Sequence, residues 1–200
     1  MMRALPEHAP SMIKRRQTVL GLLKDGDALR DGVAISNMQL NSRLHLGPDF
    51  GETESALLMP AYQRYIGRFF SEVGKDDPEI LATTTHHVII LSGLYGLLLP
   101  EEHIQAYSCH VDDHPSISET WKENSFLTSL VLAYIKRFNI QKVLDLTGQD
   151  SYRHLLEWDR ITTKADTLHF FSEQYAGAAA LSSLGEFART KLLTRSAEEI

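Results

Sequence analysis

Two short runs constrain this chain more than anything else in it: HVIIL, from His87 to Leu91, and KVLDL, from Lys142 to Leu146. Both are mainly apolar and partly β-branched, and each ends in a small hydroxyl residue plus glycine, Ser92-Gly93 and Thr147-Gly148. Continuous apolar runs of that length are typical of strands buried on both faces. TLHFF, from Thr167 to Phe171, is a third candidate. Helical stretches lie between and after them. Ser116-Ile117-Ser118-Glu119 has capping-box spacing and precedes Leu127, Leu130, Val131, Tyr134, Ile135 and Phe138 at helical intervals. A last helix is expected from about Gly177 to Leu193, with Leu181, Leu184, Ala188 and Leu192 on one side. Strand and helix in alternation predict βαβ units, and therefore an α/β fold whose mostly parallel sheet carries helices on both faces.

The first third of the chain adds a helical region to that plan. A helix is expected from Ser11 to about Lys24, stopped by Asp25-Gly26-Asp27, and GVAIS from Gly32 reads as a short strand. GPDFG, Gly47 to Gly51, reads as a shaped loop. Leu58, Tyr62, Tyr65 and Phe69 recur at i, i+4, i+7 and i+11, widened by Ile66, Phe70 and Val73; this predicts a helix ended by Gly74 and Pro78. With 200 residues and no repeat, low-complexity tract or linker, one domain over 1–200 is expected.

The charge balance is acidic, −6 from 20 Lys and Arg against 26 Asp and Glu, which argues against a uniformly basic nucleic-acid coat but leaves room for a local basic patch. Cys109 is the single cysteine, so no intramolecular disulfide and no CxxC metal knuckle can form. The opening residues lack the apolar stretch of a signal peptide, and no apolar run reaches the roughly 18 residues that span a bilayer. A cytoplasmic protein with no membrane contact is expected. There is no GxSxG elbow, P-loop or GxGxxG, so a nucleotide-hydrolysing or nicotinamide-dependent enzyme is poorly supported.

Parallel strands bind ligands beyond their carboxyl ends. Ser92, Gly93, Thr147, Gly148 and Ser151 are therefore candidate binding residues: the glycines admit close approach and the hydroxyls donate. Tight turns and caps are the competing structural reading. Two roles are open to Asp145, inside an apolar strand: a general base or ribose acceptor near the strand end, or an acceptor for a neighbouring loop's backbone N–H groups. Arg64 and Arg68, four apart beside Tyr65, would share a helix face and could grip an anion next to an aromatic plane; an exposed face with Tyr65 in the core is the plainer alternative. Cys109, His110, Asp112, Asp113 and His114 form the densest set of metal-ligand types, but Pro115 points to a loop, so surface or structural histidines are favoured and no metal or cofactor is expected.

LSGLYGLLLPEEHIQAY, Leu91 to Tyr107, resembles the peroxide stress protein YaaA family, through Ser92, Gly93, Leu94, Tyr95, Gly96, Leu97, Leu98, Pro100, Ile104, Gln105 and Tyr107. LMPAYQRYIGRFF and KVLDLTGQDSY are similar in kind and place, so the likeness runs from about Leu58 to Leu156. The Ser-Pro-Ala-Lys type of element that opens such proteins does not occur; GVAISNMQLNSR stands near that place. The resemblance implies peroxide-stress protection and DNA binding through a cleft, and adds Tyr95, Gly96 and Tyr107 to the candidate site. Three functions follow as expectations: a DNA-binding stress protein, an enzyme of N-glycosidic type acting on a nucleoside or modified base with Asp145 assisting, or a metal- or redox-linked protein using Cys109 to His114. Charge separates the first two. A DNA partner requires that Lys14, Arg15, Arg16, Arg64, Arg68, Arg153, Arg160 and Lys164 gather on one face.

Overall fold

A computed structural model describes residues 1–25, 35–170 and 178–193. The N-terminal helix α1, Ala9–Lys24, forms as expected and buries Met12, Arg16, Val19, Leu20 and Leu23 along one face. Residues 32–34 of the expected GVAIS strand lie outside the described residues; Ile35 and Ser36 begin helix α2, Ile35–Asn41. GPDFG becomes a single 3-10 turn, Pro48–Phe50, closed by Gly51 at φ 82°.

The expected helix over 58–73 is broken in three. Met59–Pro60 is a short strand β1, Ala61–Arg64 one helical turn α3, and Arg68–Val73 a second helix α4. Tyr65 is extended (φ −82°, ψ 106°), and Gly67 enters α4 from an extended conformation. The reason is that the apolar stripe serves two cores: Tyr65 packs on the main cluster, whereas Tyr62 and Phe69 pack on a smaller one around Val73, Ile80, Leu81 and Ala188. A straight helix cannot present one face to both. That smaller cluster joins α4, α5 (Ile80–Thr83) and α10 (Ala178–Leu193). Gly185 is what lets α10 come so near, because a Cβ there would lie 2.5 Å from the Phe69 carbonyl oxygen.

The described strands form three two-stranded units, and only one is parallel. β2, Ile90–Ser92, turns back on β3, Gly96–Leu98, as an antiparallel hairpin with Ile90 opposite Leu98 and Ser92 opposite Gly96. β1 pairs antiparallel with β4, His103–Ile104. β5, Lys142–Asp145, and β6, Asp166–His169, run parallel with Asp145 opposite His169. The chain is thus a mixed helix-and-strand protein, and a mostly parallel sheet does not form among the described residues. The reason is local: Gly96 takes a left-handed conformation at φ 72°, and Ser92 Oγ accepts the Tyr95 N–H at 2.9 Å, so the HVIIL run reverses where a crossover was expected.

After β4 come α6, Pro115–Lys122, and α7, Phe126–Phe138, separated by Asn124 and Ser125, both at positive φ. His114, and not Ser116, caps α6: its Nδ1 accepts the Ser116 N–H at 3.0 Å. Trp121 of α6 is fully buried, donates its indole N–H to the Gly93 carbonyl at 2.7 Å, and lies against Gly96, where a Cβ would come within 2.6 Å of the ring. Two short helices, α8 (Asp150–Arg153) and α9 (Trp158–Thr162), link β5 to β6.

Gly96→Ala therefore meets both a left-handed backbone and a filled space. It is expected to cost about 3 kcal/mol of folding stability, read as a lowered urea midpoint with an unchanged slope.

Candidate functional site

The β2 end is held by a buried polar network. Arg16, 1% exposed, donates Nε to the Tyr95 carbonyl at 3.1 Å and Nη1 to the Asp49 carbonyl at 3.2 Å. The Asp49 carboxylate accepts the Tyr95 hydroxyl at 2.6 Å and the Gln105 side-chain amide at 3.0 Å, and Gln105 in turn pairs both ways with the backbone of His45. Burial, reinforced by the Asp49 charge, holds the Tyr95 phenol far above its ordinary value, so it serves as a donor. Burial pushes the Arg16 guanidinium down, opposed by Glu102, Tyr95 and Asp49. Tyr95 is accordingly a structural anchor, and Gly96 is a turn and packing glycine.

A chain of hydroxyls leads outward from the same strand end. Ser92 Oγ, buried, is 2.7 Å from the Tyr107 hydroxyl, which is 2.5 Å from the Tyr65 hydroxyl. Burial raises both phenols, Tyr107 most, so the chain consists of protonated groups. The structure thus unites Ser92, Tyr65 and Tyr107. Gly93 packs against Cys109, whose Sγ would be 2.9 Å from a Cβ placed there.

Asp145, 2% exposed, ends β5. Its Oδ1 accepts the Thr147 N–H at 3.0 Å, the loop-bonding role foreseen as one of its two options. Its Oδ2 meets His169 Nδ1 at 2.8 Å and Arg153 Nη1 at 3.0 Å. With both of its oxygens engaged, the carboxylate holds a histidine and an arginine in place at the carboxyl ends of two parallel strands. Trp158 completes the cluster, its ring 5.0 Å from the His169 ring, nearly perpendicular, and 5.8 Å from the Arg153 guanidinium. The Thr147 and Ser151 hydroxyls make no hydrogen bond among the described residues. Gly148 packs on Leu181 and Leu184 of α10.

The segment Tyr107 to His110 connects the two ends. Tyr152 of α8 donates its hydroxyl to the Cys109 carbonyl at 3.4 Å, and His110 Nε2 lies 2.7 Å from Gln149 Oε1, with its ring edge-on to Tyr152. Part of the ligand-type cluster stays together, with Asp112 3.4 Å from His110 Nδ1 and Asp113 accepting the His110 N–H, but His110 Nε2 turns to Gln149 and His114 caps α6. No group of three metal-ligating side chains converges among the described residues. Burial pushes the Cys109 thiol well up, away from the reactive thiolate.

Five of the eight basic side chains named as a DNA-binding set are engaged internally. Arg16 is buried; Arg15 bonds Glu123 and the Thr120 carbonyl; Arg153 meets Asp145; Arg160 meets Glu157. Arg64, on α3, donates to the carbonyls of Ile104 and Leu57, while Arg68, on α4, is exposed. Sequence reasoning expected these two on one face; the break at Tyr65 to Gly67 separates them. It overlooked His169 and Asp49, and named Arg153 and Arg16 only as candidate phosphate contacts, whereas they pair with Asp145 and with buried carbonyls. Arg16 had a signal, since it occupies an apolar-face position four after Met12.

A sequence model of the family described as peroxide stress protein YaaA matches residues 4–198. The chain belongs to this family. The match extends the likeness seen over 58–156 to nearly the whole chain. A search of curated proteins found no match. No helix among the described residues is long and apolar enough to cross a membrane.

Cys109, half-buried and with its thiol pushed up, is expected to label slowly with a disulfide reagent in the native protein and rapidly in urea; fast native labelling, or fast oxidation by hydrogen peroxide, would contradict that upward shift. Arg64→Ala, which removes two bonds to backbone carbonyls, should cost about 1–2 kcal/mol, whereas Arg68→Ala should stay within about 0.5 kcal/mol, both measured by urea unfolding.

Proposed function

We propose that this member of the peroxide stress protein YaaA family acts in the peroxide response by binding a nucleotide unit at the joined ends of β2 and β5. The observation that carries this reading is the convergence of both strand ends on Tyr107 to His110. Ser92 and its hydroxyl chain lie on one side of that segment, and Gln149, Tyr152 and the Asp145 cluster lie on the other. Such a surface offers the chemistry a nucleotide needs: hydroxyl donors at Thr147 and Ser151 for sugar or phosphate, the Trp158 and Tyr152 rings for a base, and positive charge at Arg153.

A nucleotide unit can arrive free or within a DNA strand. The engagement of five of the eight basic residues favours a local contact over an extended phosphate track. The expected result is a Tm rise of roughly 5–10 °C with a saturating nucleoside or nucleotide, and about fivefold weaker binding in Thr147→Val. Short single-stranded DNA distinguishes the sources. Local contact predicts a salt dependence of about one phosphate, and a steep multi-phosphate slope would instead favour a DNA track. No Tm rise across a broad nucleotide panel, with no DNA binding, would overturn the reading.

A further inference from the structure

A carboxylate only accepts hydrogen bonds, so the 2.8 Å contact between Asp145 Oδ2 and His169 Nδ1 requires Nδ1 to carry the proton. The neutral imidazole then has its lone pair on Nε2. Among the described residues, Nε2 makes no hydrogen bond, and the side chain is 30% exposed whereas its carboxylate partner is fully enclosed. The ring cannot rotate freely. Trp158 from α9 stands edge-on to it at 85°, and the backbone is pinned by the parallel ladder, which continues as Phe170 N–H donates to the Asp145 carbonyl at 3.0 Å. The charged groups facing the imidazole are Asp145 from β5 and, through the shared oxygen, Arg153 from α8; α9 presents the Trp158 ring.

We propose that Asp145 and His169 form a carboxylate–imidazole dyad in which His169 Nε2 is the general base for hydrolysis of the base–sugar bond of a nucleoside or nucleotide. This rests on the nucleotide reading above. A water molecule attacks the anomeric carbon and passes a proton to Nε2. The carbon–nitrogen bond breaks with its electron pair going to the nucleobase, and the proton on Nε2 is delivered to that leaving nitrogen. The products are free base and free sugar or sugar phosphate, and the imidazole is regenerated. His169 is the catalytic residue in this scheme. Asp145, which meets no substrate atom, is a positioning residue that fixes the tautomer.

The test uses the full chain and a panel of purine and pyrimidine nucleosides and their monophosphates, with free base measured by chromatography. Wild-type protein is expected to release base from at least one of them. His169→Gln should lower that release about a hundredfold while keeping the nucleotide-induced Tm rise. Asp145→Asn should lower kcat more than it raises KM. Its nitrogen NMR spectrum should also lose the wild-type pattern of protonated Nδ1 and unprotonated Nε2 at His169. Absence of base release by wild-type protein overturns the proposal, as does equal release by His169→Gln or an Nε2–H tautomer in wild type. If base release fails while the Tm rise persists, the nucleotide reading stands and the dyad's proposed chemistry falls. If both fail, both fall.

Discussion

The buried guanidinium of Arg16 is the constraint on which the arrangement of this protein depends. It lies in the apolar face of α1 and can be tolerated there only because carbonyls of Tyr95, Asp49 and Leu97 come to it. That requirement ties α1 to the hairpin turn and to the Pro48–Phe50 turn at once. The Asp49 carboxylate, brought in by the same turn, then collects the Tyr95 hydroxyl and the Gln105 amide, which draws in the strand that follows β3. The donors and acceptors in this network come from separate parts of the chain, α1, the Pro48–Phe50 turn, the β2–β3 hairpin and Gln105, so removing one leaves another buried and unsatisfied.

The same logic operates at the other strand end on a smaller scale. Asp145 is buried and must be satisfied, and its partners are a backbone N–H two residues on, a histidine on the neighbouring strand and an arginine on α8. Here the satisfied group presents its partners outward: the carboxylate is enclosed while His169 and Arg153 retain some exposure. A network of the first kind fixes a fold. One of the second kind fixes reactive or binding groups in a fold. Between them, Tyr107 to His110 meets buried Ser92 at one end and Gln149 at the other.

How much of this could be read beforehand depends on the range of the interaction. The α1 stripe, the presence of a strand within each apolar run, the glycine turns and the family likeness over Leu91–Tyr107 are local and legible. Helix 58–73 misled because its apolar stripe is continuous in sequence while the surfaces it packs against are two. HVIIL misled because a two-sided apolar strand looks the same whether its neighbour is a distant parallel strand or the next turn of its own hairpin. The Cys109 to His114 cluster is dense in sequence, yet His110 turns its Nε2 to Gln149 and His114 caps α6, so no three ligand-type side chains converge among the described residues.

The sequence by itself determined that the chain mixes helices with short strands, that two apolar runs end in hydroxyl and glycine, and that it resembles the peroxide stress protein YaaA family. These follow from periodicity, turn chemistry and motif, which depend on residues close together in the chain. Only the tertiary structure decided that Asp145 holds His169 and Arg153, and that five of the eight named basic residues are engaged by other groups of the chain. Burial creates that pairing: a charge in an apolar strand must find partners wherever the fold supplies them, and those partners lie 24 and 8 residues away from Asp145 along the chain.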